Sequence, residues 1–123
     1  MLDACTSCRL VTGLEIASRA YVPRQDVCNS DSSPVNISTH RSIGTPAHYE
    51  NSTSVPREFC AKCGATVLYR RDNRTRDVLD IGVGLLKAKI GARAKEWSEW
   101  NTEEVEFADD ATYEELPKFF CCG

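Results

Sequence analysis

Two Cys-x-x-Cys pairs constrain this chain more than any other feature. Cys5 and Cys8 lie in "DACTSCRLVTG" at residues 3–13, and Cys60 and Cys63 lie in "FCAKCGATV" at residues 59–67. Two thiolates three positions apart can hold one metal ion from a tight turn, and Zn2+ favours four such ligands in a tetrahedron. Gly64, directly after Cys63, suits the sharp backbone that such a turn requires. Metal binding by Cys5, Cys8, Cys60 and Cys63 is the leading expectation. Redox chemistry is the second: a thioredoxin-like pair opens a helix in an α/β pattern, and neither pair here is followed by a helical pattern. Cysteines buried simply as small apolar residues are the third. A zinc site with a purely structural role is the strongest rival to one with an activity.

The remaining cysteines support the metal reading by elimination. Seven in all, an odd number, with two close pairs, do not make the framework of a disulfide-stapled secreted domain. No stretch approaches the roughly 18–20 apolar residues of a membrane span, and the start lacks the basic-then-apolar pattern of a secretory leader. A reducing, cytoplasmic setting is expected, with the nucleus also open. At 123 residues the chain is expected to form one domain over 1–123, in the size range where a structural metal adds useful stability. Cys28, in a Ser- and Pro-rich stretch, reads as an incidental thiol. Cys121 and Cys122 read as terminal thiols whose alternative role is to complete a depleted metal site.

Charge is unevenly spread. Residues 57–95 carry ten Lys and Arg against four acids, whereas 96–123 carry nine acids against one Lys. The plain reading is an acidic solvated tail, at about 101–123, beside a basic face. The overall charge of −3 and the lack of aromatics interleaved with the basic segment argue against a nucleic-acid partner.

The pattern along the chain is mostly β. "GLEIASRAYVP" (13–23) reads as a strand ending at a proline. Residues 28–56 read as a long loop with a short strand at "AHYE". "ATVLYRR" (65–71) reads as a strand and "RDNRT" (71–75) as a turn. "DVLDIGVGLL" (77–86) sets Leu79, Ile81, Val83 and Leu85 on one face, the cleanest period-2 alternation in the chain. Residues 87–100 read as a short helix or an extended crossover, with Trp97 and Trp100 as core or sheet-covering aromatics rather than a binding platform. The last twenty residues read as peripheral, with at most a helical turn near Tyr113–Leu116. Of the two histidines, His48 leads towards the second Cys pair and is the one expected to face a pocket, whereas His40 reads as a loop residue. Arg57, Arg70 and Arg71 are candidates for gripping carboxylates, since a guanidinium pairs with them bidentately.

These residues resemble a known family. "DACTSCRLVTG", "AYVPR", "HYENS", "REFCAKCGATVLYRR", "LDIGVGLL" and "EWSEW" together look like the glutathione-dependent formaldehyde-activating enzymes and centromere protein V-like proteins. The resemblance runs from residue 3 to about residue 100. It implies a small zinc-stapled β-tent of short antiparallel sheets with long loops. It also implies an activity of the carbon–sulfur lyase type on a thiol, glutathione-like, joined to an aldehyde-derived carbon, with the membrane playing no part.

Family members carry an early C-x-C-G, a middle C-x-C-x-x-C and a late C-x-x-C-G. The first and last bind a structural zinc, and the middle one binds the zinc associated with catalysis. This sequence departs twice. It starts beyond the early motif, so Cys60 and Cys63 lack their usual two partners. Asp3 also stands where the first cysteine of the middle motif belongs. A carboxylate ligates zinc, so Asp3, Cys5 and Cys8 are the candidate catalytic set, with one coordination position open. So near the start, Asp3 is expected to be loosely held. Two arrangements remain: one closed zinc held by Cys5, Cys8, Cys60 and Cys63, or two separate sites. The first implies a non-catalytic zinc-stapled binding module or degenerate family member, the second an enzyme.

Overall fold

A computed structural model of the protein describes residues 1–35, 46–50, 55–70, 77–91, 93–101 and 103–121. Among them the chain is mostly β, as the sequence pattern predicts. Its elements are β1 (Leu2–Asp3), α1 (Thr6–Thr12), β2 (Ala17–Pro23), β3 (Ala47–Glu50), β4 (Pro56–Phe59), β5 (Thr66–Tyr69), β6 (Val78–Gly82), β7 (Val105–Glu106) and α2 (Leu116–Cys121), with short 3₁₀ turns between some of them. No helix of the described residues is long and apolar enough to cross a membrane. His40, Cys122 and the whole of the predicted turn at 71–75, Arg71 included, lie outside the described residues, as do the side chains of residues 120 and 121.

The chain divides into two compact units, Met1–Ala20 with Val83–Gly123, and Tyr21–Gly82. In the first, β1 is flanked on both sides. It pairs antiparallel with β2, Leu2 opposite Ser18 and Asp3 opposite Ala17, and parallel with β7, Leu2 opposite Val105 and Asp3 opposite Glu106. Leu2, Ala4 and Val105 form a small buried cluster, against which Ile16, Trp100 and Ala111 pack. Trp100 thus fulfils its expected core role, and its indole N–H donates to the Arg93 carbonyl. Trp97 does not: it is 62% exposed. It follows the left-handed Ala94, and the described residues here make tight turns at 88–91 and 94–98 rather than a helix or an extended crossover.

The closing segment is tied in more firmly than a peripheral tail would be. β7 lies inside it, and the Glu15 carboxylate clamps the stretch that follows. The Thr112 N–H and hydroxyl both donate to that carboxylate, as does the Tyr113 N–H. The Thr112 hydroxyl above all, with these backbone donors and the charge of Arg9, holds the Glu15 carboxyl below its ordinary value. An acidic composition signals solvation, but it conceals the two-residue strand and the backbone donors that Glu15 engages.

In the second unit the antiparallel order is β3-β4-β5-β6. Leu68 on β5 and Leu79 on β6 are its buried centre, with Val27, Val35, Val67 and Ile81 against them. β4 replaces the end of the predicted long loop. Its sequence, Pro-Arg-Glu-Phe, carries no apolar alternation, yet Pro56, Arg57 and Glu58 are all buried. The alternation from Leu79 onward also stops sooner than its pattern suggests. β6 ends at Gly82, and the chain turns through Val83–Leu85, leaving Leu85 exposed.

Two outcomes follow from this packing. Leu79→Ala is expected to cost about 2–5 kcal/mol in denaturant unfolding, whereas Leu85→Ala changes stability by no more than about 0.5 kcal/mol. The Glu15 clamp has a pH signature. Because folding lowers the Glu15 pKa, its stabilisation is complete above the ordinary glutamate value of about 4.3 and is lost as the pH falls through the lowered folded value. The denaturation midpoint is expected to exceed that of Glu15→Gln at pH 7, with the gap closing below about pH 4; a gap constant from pH 7 to pH 3 would contradict the clamp.

Candidate metal centre

Asp3, Cys5 and Cys8 come together in the first unit. Asp3 belongs to β1 and is 1% exposed. Backbone partners on both sides hold the strand, and the Ala4 N–H continues the pairing by donating to the Glu106 carbonyl at 2.9 Å. The looseness expected of a residue so near the start is therefore overturned: pairing on two edges, not sequence position, fixes it.

Just past this strand the chain turns into α1, with Cys5 as its N-cap. The Cys5 sulfur accepts the Cys8 N–H at 3.2 Å. Here the sequence expectation fails in a second respect, because the first Cys pair does open a helix. The helix is only seven residues long, too short for its apolar periodicity to show, and this is why the sequence pattern missed it. Its far end explains the Thr12-Gly13 that follows the motif. The Thr12 hydroxyl donates to the Cys8 carbonyl at 2.8 Å, and Gly13 ends the helix at φ 70°, with its N–H on the Arg9 carbonyl. A Cβ at Gly13 would meet nothing within 4 Å, so left-handed backbone, not lack of room, is what calls for glycine there.

The donor atoms are close. The sulfurs of Cys5 and Cys8 lie 2.6 Å apart, and the Cys8 sulfur lies 3.2 Å from Asp3 Oδ2. The other carboxylate oxygen, Oδ1, accepts the Cys5 N–H at 2.8 Å. One ligand atom from each residue falls within 4.8 Å of the others, and all three residues are buried. Two sulfurs and a carboxylate oxygen, all buried, are a donor set that can hold a metal ion by giving up their protons to it. Redox chemistry loses one of its objections with α1 in place.

Behind the carboxylate stands Arg19, which sequence reading did not single out. It is 3% exposed, and its Nε lies 3.8 Å from Asp3 Oδ2. A signal was present: in "ASRAYVP" the alternation that buries Ala17 also buries residue 19, so an arginine at that parity calls for an anionic partner.

Cys60 and Cys63 belong to the second unit and form a knuckle. Gly64, at φ 73°, donates its N–H to the Cys60 carbonyl at 2.8 Å, and the Cys60 N–H returns to the Ala65 carbonyl at 2.9 Å. The role expected of Gly64 is thus the one it plays. The Cys63 N–H, then the Lys62 N–H, donate to the Cys60 sulfur and hold that thiol below its ordinary pKa.

The other candidates fall into different roles. Arg57 and Arg70 are buried rather than presented to a ligand. Arg57 lies 4.6 Å from the centre of the Tyr69 ring, and Arg70 Nη2 lies 3.8 Å from Glu58 Oε1. An isolated reading of basic residues beside a strand could not distinguish surface arginines from ones paired within the sheet. His48 faces Glu50, two residues along the exposed strand β3, at 3.6 Å. Cys28 is exposed, in keeping with an incidental thiol.

A family model described as "Glutathione-dependent formaldehyde-activating enzyme" matches residues 1–121. No curated protein and no solved structure matched the chain.

Proposed function

Because the chain belongs to the glutathione-dependent formaldehyde-activating enzyme family, we propose that it is a zinc-dependent enzyme of the carbon–sulfur lyase type. Its substrate class is a thiol, glutathione-like, carrying a carbon derived from an aldehyde or a related metabolite. The observation that carries this reading is the buried Asp3, Cys5 and Cys8 group. Three protein ligands with a fourth position free are characteristic of catalytic zinc, whereas structural zinc takes four.

When bound there, zinc supplies a positive centre that keeps a thiol ionised at neutral pH. Everything else comes from the chain. Cys5 and Cys8 offer two sulfurs from one turn, and the Cys8 N–H orients the first of them. Asp3 offers Oδ2, because Oδ1 is engaged by the Cys5 backbone. Burial of all three removes competing water and strengthens every electrostatic contact within the site. Cys60 and Cys63, with the Cys60 thiol held below its ordinary pKa by the Cys63 and Lys62 N–H groups, are assigned to metal binding as the second cysteine pair.

The test is to add the zinc-loaded chain to glutathione and formaldehyde and follow the S-hydroxymethyl adduct by NMR exchange. Acceleration is expected, and Asp3→Ala and Cys8→Ser should each lower it by at least about 100-fold, more than loss of an outer-sphere partner does. A chain that binds zinc through these residues but leaves the exchange rate unchanged would be a zinc-stapled binding module instead.

A further inference from the structure

We infer that Arg19 is a positioning residue for the metal centre, balancing and orienting Asp3 so that its Oδ2 is the ligating oxygen. This rests on the metal-binding reading of the same site. Asp3 lies opposite Ala17 across the β1–β2 pair. Arg19, two residues on from Ala17, therefore emerges on the same face at the diagonal position, within reach of a long side chain. Its Nε lies 3.8 Å from Oδ2, and both side chains are buried.

Each oxygen of Asp3 then has its own task. Oδ1 is fixed by the Cys5 N–H at 2.8 Å. Oδ2 faces the Cys8 sulfur at 3.2 Å on one side and Arg19 on the other. Charge leads to the same assignment. A divalent ion with one carboxylate and two thiolates carries a net charge of −1, and a buried net charge is costly unless it is paired. The guanidinium of Arg19 brings the sum to zero. Ligand and arginine form a matched pair, since a carboxylate has a second oxygen by which the backbone can hold it while a cation supports the first. Single-atom thiolate ligation at position 3 would offer no such division.

The experiment is a cobalt(II) titration of the chelator-treated full chain, with affinity measured by competition against a chelator of known strength and the visible and near-ultraviolet bands reporting the ligand set. Arg19→Met is expected to weaken cobalt binding about 10- to 100-fold and to shift the visible bands. Arg19→Lys should recover most of the affinity, and the Arg19→Met effect should vanish in an Asp3→Ala background. Affinity within twofold of the original chain, or an equal loss with and without Asp3, would overturn the inference. Should Arg19→Met fail to fold, the unaltered chain still decides the matter. The Arg19 Nε–Hε NMR signal should move on cadmium addition, and an unmoved signal with cadmium bound would overturn the inference. Failure of the original chain to show thiolate-to-cobalt bands that depend on Cys5 and Cys8 would instead defeat the metal reading itself.

Discussion

A buried carboxylate governs the first unit. Asp3 sits in a two-residue strand with backbone neighbours on both edges, where an isolated negative charge would be strongly disfavoured. Its surroundings are arranged to make that position tenable. The Cys5 N–H reaches one oxygen, Arg19 lies near the other, and the turn that brings Cys5 back to Asp3 also starts α1. The local backbone, the helix start and the buried arginine thus share one electrostatic cause. The two sulfurs are placed by the same turn, and a group that could hold a metal ion results from a few neighbouring residues.

The second unit solves a similar problem without a candidate metal group of three or more ligands among its described residues. Arg57, Glu58, Arg70 and Asp80 are all buried across β4, β5 and β6 and the residue following β5. The register places Arg57 opposite Tyr69 and Tyr69 opposite Asp80, so cation, aromatic ring and anion share one face in a row. Glu58 and Arg70 approach each other on the opposite face. These are structural charges. Their burial beside Leu68 and Leu79 ties the sheet's register to specific partners, since a one-residue slip would bring the wrong groups together.

Legibility in the sequence followed the strength of the local signal. Period-2 alternation located β6, β5 was read as the strand after the second Cys pair, and cysteine spacing located both pairs, with Gly64 marking the turn of the second. Asp3 was legible only through its place in a family motif. What escaped had no local period to read. β4 is built from charged residues paired across strands, β7 is two residues within an acidic run, and α1 is too short for a helical stripe. Arg19 escaped because its partner lies sixteen residues away, and only pairing of β1 with β2 brings the two together. Long-range pairing, which composition cannot encode, accounts for β4, β7 and Arg19, whereas α1 escaped by its shortness alone.

The parallel pairing of β1 with β7 has a consequence for how the protein is made. One strand partner of residues 2 and 3, residues 105 and 106, is synthesised about a hundred residues after them. At the usual pace of translation that delay is several seconds or more, and closing so long a loop carries an entropic cost that local contacts cannot offset early. During that interval Asp3 has the β2 edge available on one side but not yet its β7 partner on the other. Asp3 is thus locked on both edges only after residues 105 and 106 have been made, so completion of the site waits on a strand far along the chain.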